Sequence, residues 1–234
     1  MTVNRFLLYV VLLLAAAYCG VTFYPRLLFN GVQDYENIRF YTSEPAPERV
    51  PVFAGVYEAL NSDPFFDPGR TLEVYLAGGY GKYSLLAPFC RKQRSCLHPV
   101  SGKVFVASSD LEKDEVYGPG DGGARRTLRG VIIHELVKAQ LRNKLGFLRY
   151  TFLPDWKSTG YAEHIAKETV DMDTSIICAE GTHEDELAGY LADRLMVELV
   201  AAEDSIGYSA LLEENYSYEA LRSRLMKKYC KAGL

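Results

Sequence analysis

The spacing of apolar and polar positions divides the chain into three stretches: an uncharged run, a middle section with two-residue alternation, and a C-terminal half with helical spacing. Phe6 to Tyr24 carries no charge, with Arg5 before it and Arg26 after. As a helix, a run of that length crosses a hydrocarbon layer of roughly 30 Å. Ala15-Ala16-Ala17 leaves a second reading open, a signal segment cut after the alanines. The run continues past them to Phe23 and Tyr24, which favours an uncleaved anchor. Pro25 to Val32 reads as a linker. Tyr35–Thr42 (Ile38, Phe40 and Thr42 alternating), Thr71–Leu76 and Lys103–Ala107 read as strands. Val50–Leu60 has helical spacing, and Pro64–Gly69 is a turn. Gly78-Gly79-Tyr80-Gly81 reads as an ordinary turn, because no Lys-Ser or Lys-Thr helix completes a phosphate loop. Ser109–Glu115 is acidic and reads as solvated, and Tyr117–Gly123 as a loop.

Helical spacing then dominates. Leu128, Ile132, Ile133, Leu136, Val137 and Leu141 form one stripe of a helix near 125–145, with Gly122-Gly123 ahead and Gly146 as its C-cap. A second helix begins at Trp156 or Lys157 and runs to about Glu168. Asp171–Thr182 connects to a long amphipathic helix, 185–202, with Leu187, Leu191, Leu195 and Leu199 on one face. A short helix, 208–212, and a last one capped by Ser217 and running to about Lys228 complete the chain. Strands come first and helices afterwards, so the expected class is α+β. Residues 1–30 read as anchor or signal segment plus linker, and 31–234 as one domain of ordinary size.

Composition changes this picture little. A net charge of −4 without a basic face argues against a nucleic-acid partner. One Arg on each side of the apolar run leaves its orientation open, and a short N-terminus with a translocated domain is the default. The cysteines matter more. Cys90 and Cys96 bracket a short polar loop and read either as a disulfide or as two free thiols, with zinc on Cys90, Cys96 and His98 as a third option. Cys178 and Cys230 either pair or stay as single buried thiols. Outside the cytoplasm, oxidation of at least one pair is expected.

The candidate chemistry sits on the 125–145 helix. His134 and Lys138 are four apart and share a face, with Glu135 beside His134. A His-Glu-x-x-His helix holds zinc with two imidazoles while its Glu activates water. Here the fifth position is Lys138, and an ammonium has no lone pair for a metal. About twenty residues on comes Leu153-Pro-Asp-Trp-Lys-Ser-Thr-Gly-Tyr-Ala-Glu-His-Ile-Ala166. Together the two segments resemble the Glu-zincins, the bacterial peptidase-MA-like proteins among them, over roughly Phe40 to Tyr229.

That resemblance implies a zincin-like fold: a small N-terminal sheet, an active-site helix pair, then C-terminal helices. It implies a third zinc ligand at the position of Thr159, so Lys138 and Thr159 both stand where ligands would be, and His134 is the one ligand left. Two function classes follow. One is a non-catalytic, membrane-anchored binding or scaffold protein of the cell envelope, without a cofactor, whose cleft accepts an extended peptide or an envelope protein. Trp156, Tyr161 and Tyr150 would line that cleft. The other is an active zinc peptidase with a reduced ligand set and Glu135 as general base. In the first, Lys138 supplies a fixed charge in place of the metal, paired with Glu135, Glu163 or both. Glu163, one turn after Thr159, could swing toward His134. The plainer readings stay open too: His134 as a core histidine satisfied by backbone groups, His164 beside Glu163 as a solvated pair, and a chance match. His98 and His183 carry no spacing signal.

Overall fold

A computed structural model of the chain describes residues 3–45, 47, 50–118, 126–178 and 186–230. Helix α1, Val3–Phe23, is the apolar run. It is the one helix among the described residues long and apolar enough to cross a membrane, a test that a signal sequence passes equally. A short 3-10 turn, Pro25–Leu28, leads to β1 (Gly31–Tyr35), which pairs with β2 (Ile38–Thr42) as a hairpin. The expected single strand 35–42 is thus the last residue of β1, a turn and β2. Glu36, at φ 53°, reverses the chain, and its left-handed conformation has no signature in the alternation.

Helix α2 (Pro51–Asn61) crosses from β2 to the parallel strand β3 (Leu72–Leu76). Gly78-Gly79 does not end in a plain turn: Gly78 takes φ 68°, and the chain enters helix α3, Tyr80–Leu86. Strand β4 (Ser95–Leu97) and β5 (Val104–Val106) follow, with β5 parallel to β3 and β4 antiparallel to β5. The mixed sheet has the order β1-β2-β3-β5-β4. Its period-2 alternation buries both faces. Phe40, Val74 and Val106 face the main core, whereas Tyr41, Tyr75 and Phe105 face a smaller one with Phe29, Tyr83 and Val21 of α1. Tyr41 and Tyr75 stack there with ring centroids 4.5 Å apart.

The acidic stretch 109–115 has no buried residue, and its ends form strands β6 (Ser108–Asp110) and β7 (Glu115–Tyr117), to which Arg126–Thr127 adds β8 in a small antiparallel sheet. Helix α4 therefore starts at Leu128, three residues later than its apolar spacing suggests, and runs to Leu145. The Thr127 hydroxyl caps it by accepting from the Gly130 N–H at 3.0 Å. Gly146, at φ 82°, ends it. Gly122-Gly123 falls outside the described residues. A short helix without a sequence signal of its own, α5 (Phe147–Thr151), precedes α6 (Asp155–Ala166). α6 stops earlier than expected, at Lys167 in the left-handed region. It packs against α4 and against α7 (Glu186–Glu203), and at Gly160 the α7 backbone comes so close that a Cβ would strike the Asp193 carbonyl. Helices α8 (Tyr208–Glu213) and α9 (Tyr218–Tyr229) close the core, and a Cys178–Cys230 disulfide ties α9 to the segment after α6. A second disulfide joins Cys90 to Cys96, so these thiols are not a zinc set with His98. The architecture is α+β, with a mixed sheet and an N-terminal apolar helix.

Candidate functional site at the α4–α6 contact

α4 is buried on nearly every side: Val131, His134, Glu135, Ala139 and Gln140 are covered as well as the apolar stripe. A helix enclosed in this way must satisfy its polar side chains internally. His134 is 1% exposed and Glu135 4%. α6 brings Glu163, 0% exposed, to the imidazole: Glu163 Oε2 lies 3.5 Å from His134 Nδ1. The other Glu163 oxygen accepts the Thr169 N–H at 2.9 Å. Thr159 sits one turn earlier on the same helix, half-buried.

Two cations flank this pair. Lys138 Nζ lies 3.9 Å from Glu135 Oε2, while Glu135 Oε1 accepts from the Ser95 hydroxyl of β4 at 2.8 Å. Arg126, from β8, lies 3.8 Å from Glu163 Oε2 through Nη2. It also binds Glu168 through Nε and Nη2, reaches Glu186 at 3.6 Å, and lays its guanidinium over the Tyr190 ring at 4.6 Å. Tyr190 in turn packs its ring 4.9 Å from that of His134. Glu168 Oε1 accepts the Thr127 N–H at 2.8 Å, so the same acid ties the start of α4 to the end of α6.

The charge states follow from burial and neighbours. Burial, with Lys138 and Arg126 nearby, drives the His134 pKa well below its ordinary value, so the ring is neutral. Burial pushes the Glu163 carboxyl up, against the pull of Arg126 and Thr169. Burial also opposes ionisation of Glu135, but Lys138, His134 and the Ser95 hydroxyl outweigh it and hold its pKa below the usual range. Burial works to lower Lys138 as well, yet Glu135, Tyr150 and Asp155 carry it above its ordinary value. The centre therefore balances charges among its own side chains. It does not satisfy every atom: both ring nitrogens of His134, Glu135 Oε2 and Glu163 Oε2 are buried and make no hydrogen bond to protein.

The structure thus joins His134, Glu135, Lys138 and Glu163 in one cluster. Lys138 pairs with Glu135 only, since the cation beside Glu163 is Arg126. No backbone group satisfies the His134 ring, contrary to the plain core reading. Trp156 and Tyr161 do not line an open cleft. Trp156 is 5% exposed and belongs to the core, and Tyr161 is fully covered and donates to Asp63 Oδ1 at 2.6 Å. Tyr150 is half-buried near Lys138. His164 is not a solvated partner of Glu163. Its Nδ1 lies 3.0 Å from Glu198 Oε1 and its Nε2 2.9 Å from the Tyr208 hydroxyl. His98 is buried at the end of β4, and its Nδ1 accepts the Ser101 N–H. His183 falls outside the described residues.

Sequence reasoning missed Arg126, Ser95, Glu168 and Tyr190. They come from β8, β4, the turn after α6 and α7, and no motif spacing links them to His134. Among the described residues, no group of three or more His, Cys, Asp or Glu side chains gathers closely enough to hold a metal ion. No protein-family model matches the chain, and no curated protein or solved structure matches it.

Proposed function

We propose that this chain is a membrane-tethered, zincin-like domain that works without a metal, as a binding or scaffold module on the outer side of the cytoplasmic membrane. The observation that carries this reading is the contact of His134 with Glu163, with one cation, Arg126, beside Glu163 and another, Lys138, beside the adjacent Glu135. Resemblance to the Glu-zincins requires the two motif segments to meet, and α4 and α6 do. A catalytic zinc needs about three protein ligands and an open position for water. Here two donors face each other, and a guanidinium lies beside one of them, so the described residues do not fit zinc. The arrangement keeps an inherited polar centre and balances it with the chain's own charges.

The address rests on two supports. α1 has the length and composition of a spanning helix. Two disulfides join four of the five cysteines, a pattern typical of an oxidising compartment. The partner we infer is an extended peptide or an envelope protein.

The rival reading, a zinc peptidase with Glu135 as base, is tested by hydrolysis of a mixed peptide library. We expect no cleavage by the natural protein or by Glu135→Gln. Cleavage that a chelator stops and Glu135→Gln abolishes would replace this proposal with the enzyme.

A further inference from the structure

α1 does not hang loosely from the domain. Val21 packs into the smaller core with Phe29 and Tyr75, and Thr22 is 8% exposed. The Phe23 carbonyl accepts from the Lys103 ammonium at 2.9 Å. Only the turn Pro25–Leu28 and three further residues, Tyr24, Phe29 and Asn30, separate this seat from β1. Whatever surface α1 emerges from, the parts of the domain beside its end stay close to it.

Those parts form a connected rim. Lys103 follows the loop 98–102, whose Pro99 and Val100 carbonyls accept from Arg142 at 3.1 and 3.0 Å. The Arg142 guanidinium lies over the Phe147 ring at 5.3 Å, and Phe147 opens α5. On the other flank the Phe89 ring lies 6.4 Å from that of His98. Along this path Leu27, Phe89, Val100, Phe147, Leu148 and Phe152 are each more than half exposed, Phe152 at 82%. Single exposed apolar residues are ordinary, but a connected group beside a membrane helix is not.

Charge points the same way. The chain has 30 acidic and 26 basic residues, yet the segments 21–33, 88–103 and 139–154 each contain Lys or Arg and no Asp or Glu, and the acids that share a pocket with Leu148 and Phe152 are Glu213 and Glu214 at the end of α8. Apolar side chains interspersed with exposed cations, such as Lys144 and Arg149, suit the boundary between acyl chains and anionic headgroups.

We propose that this rim rests on the lipid leaflet that α1 leaves, with Leu148 and Phe152 of the α5 segment inserted among its headgroups. The inference depends on α1 being an uncleaved spanning helix. It fixes the domain's posture: the end of α4 that carries Arg142 faces the bilayer, and the end that begins at Leu128, beside Arg126 of β8, points away.

The test uses the full chain with Cys19→Ser, because Cys19 is the free thiol outside the disulfides. Single cysteines at Leu12, Leu148, Phe152 and Val170 carry an environment-sensitive dye. The protein is reconstituted in phosphatidylcholine vesicles with or without phosphatidylglycerol. Val170 is an exposed control near Glu168, which packs against Gly130; Gly130 and Arg142 are about 18 Å apart along α4. Brominated lipid should quench the labels at 148 and 152 at least twofold, more strongly with phosphatidylglycerol, and leave 170 unchanged. Quenching at Leu12 with solvent-like labels at 148 and 152 overturns this inference and leaves the anchor standing. A Leu12 label that is lost or unquenched overturns the anchor and this inference together. Protection of 148 and 152 only on addition of a second protein assigns the rim to that protein and not to lipid.

Discussion

Glu163 and His164 are adjacent on α6 and belong to two different polar clusters. His164 joins a network in which both its ring nitrogens have partners, Glu198 and Tyr208, and Tyr161 one turn away donates to Asp63. Glu163 faces a centre where four buried atoms on three side chains make no hydrogen bond. A buried network that is satisfied stabilises the packing around it, and one that is not costs stability. The His164 side therefore looks like architecture. On the His134 side, an arrangement costly to folding persists around charges that balance. Even the better side is incomplete, since Asp63 keeps one oxygen unbonded and burial raises its pKa.

The contrast can be broken by substitution. Arg126→Met should have the largest effect, because it strips the guanidinium from Glu163 and Glu168 inside the protein. A loss of about 3–5 kcal/mol is expected, read by thermal unfolding, and an unchanged midpoint would mean that the centre is not held by that charge. Tyr161→Phe and His164→Leu should each cost about 1–3 kcal/mol, since they leave buried or half-buried partners unmet. His134→Leu should come within about 1 kcal/mol of neutral, because the ring it removes has no hydrogen bond to lose. Equal costs at 134 and 164 would erase the distinction between the two sides.

pH sharpens the comparison. His134 stays neutral in the folded chain, while the unfolded chain takes up a proton below the ordinary value of 6.5, so stability should fall as pH drops through 6.5. Glu163 acts in the opposite sense: it holds its proton after the unfolded chain has released its own, and so costs stability as pH rises past 4.5. Between about 4.5 and 6.5 both penalties operate. Because the two slopes oppose each other in that window, Glu163→Gln alone should leave urea-unfolding stability rising with pH there and His134→Leu alone should leave it falling, and identical profiles for the two would place the pH dependence elsewhere. The smallest effect is expected for Glu135→Gln. The amide can still accept from Ser95, and Lys138, with 24% of its side chain exposed, keeps water as a partner. A change below about 1 kcal/mol should follow.

Much of the helical half was legible from periodicity, because α4 carries its apolar residues, and α9 its two buried leucines, at spacings of three or four residues, whereas α6 buries a nearly continuous run. The β half was less so. Its hairpins depend on single left-handed residues, Glu36 and Asp114, and the acidic sequence of β6–β7 masks a strand pairing. Part of the cluster was readable from two motifs, as His134, Glu135, Lys138 and Glu163 do meet. Its dominant cation was not. Arg126 lies before the apolar stripe, on a two-residue strand whose partner is β7, and only tertiary folding brings it to Glu163. Aromatic residues near a motif were equally ambiguous, because Trp156 and Tyr161 use the same α6 positions to fill the core.

The central claim is that the chain's own cations, Arg126 and Lys138, balance the His134 centre without a metal ion. Native mass spectrometry of the full chain purified in detergent, with and without a tenfold excess of zinc, tests it directly. The account predicts the metal-free mass in both samples, with an unfolding midpoint that zinc does not move. One zinc per chain, lost on His134→Leu and accompanied by a raised midpoint, would contradict it.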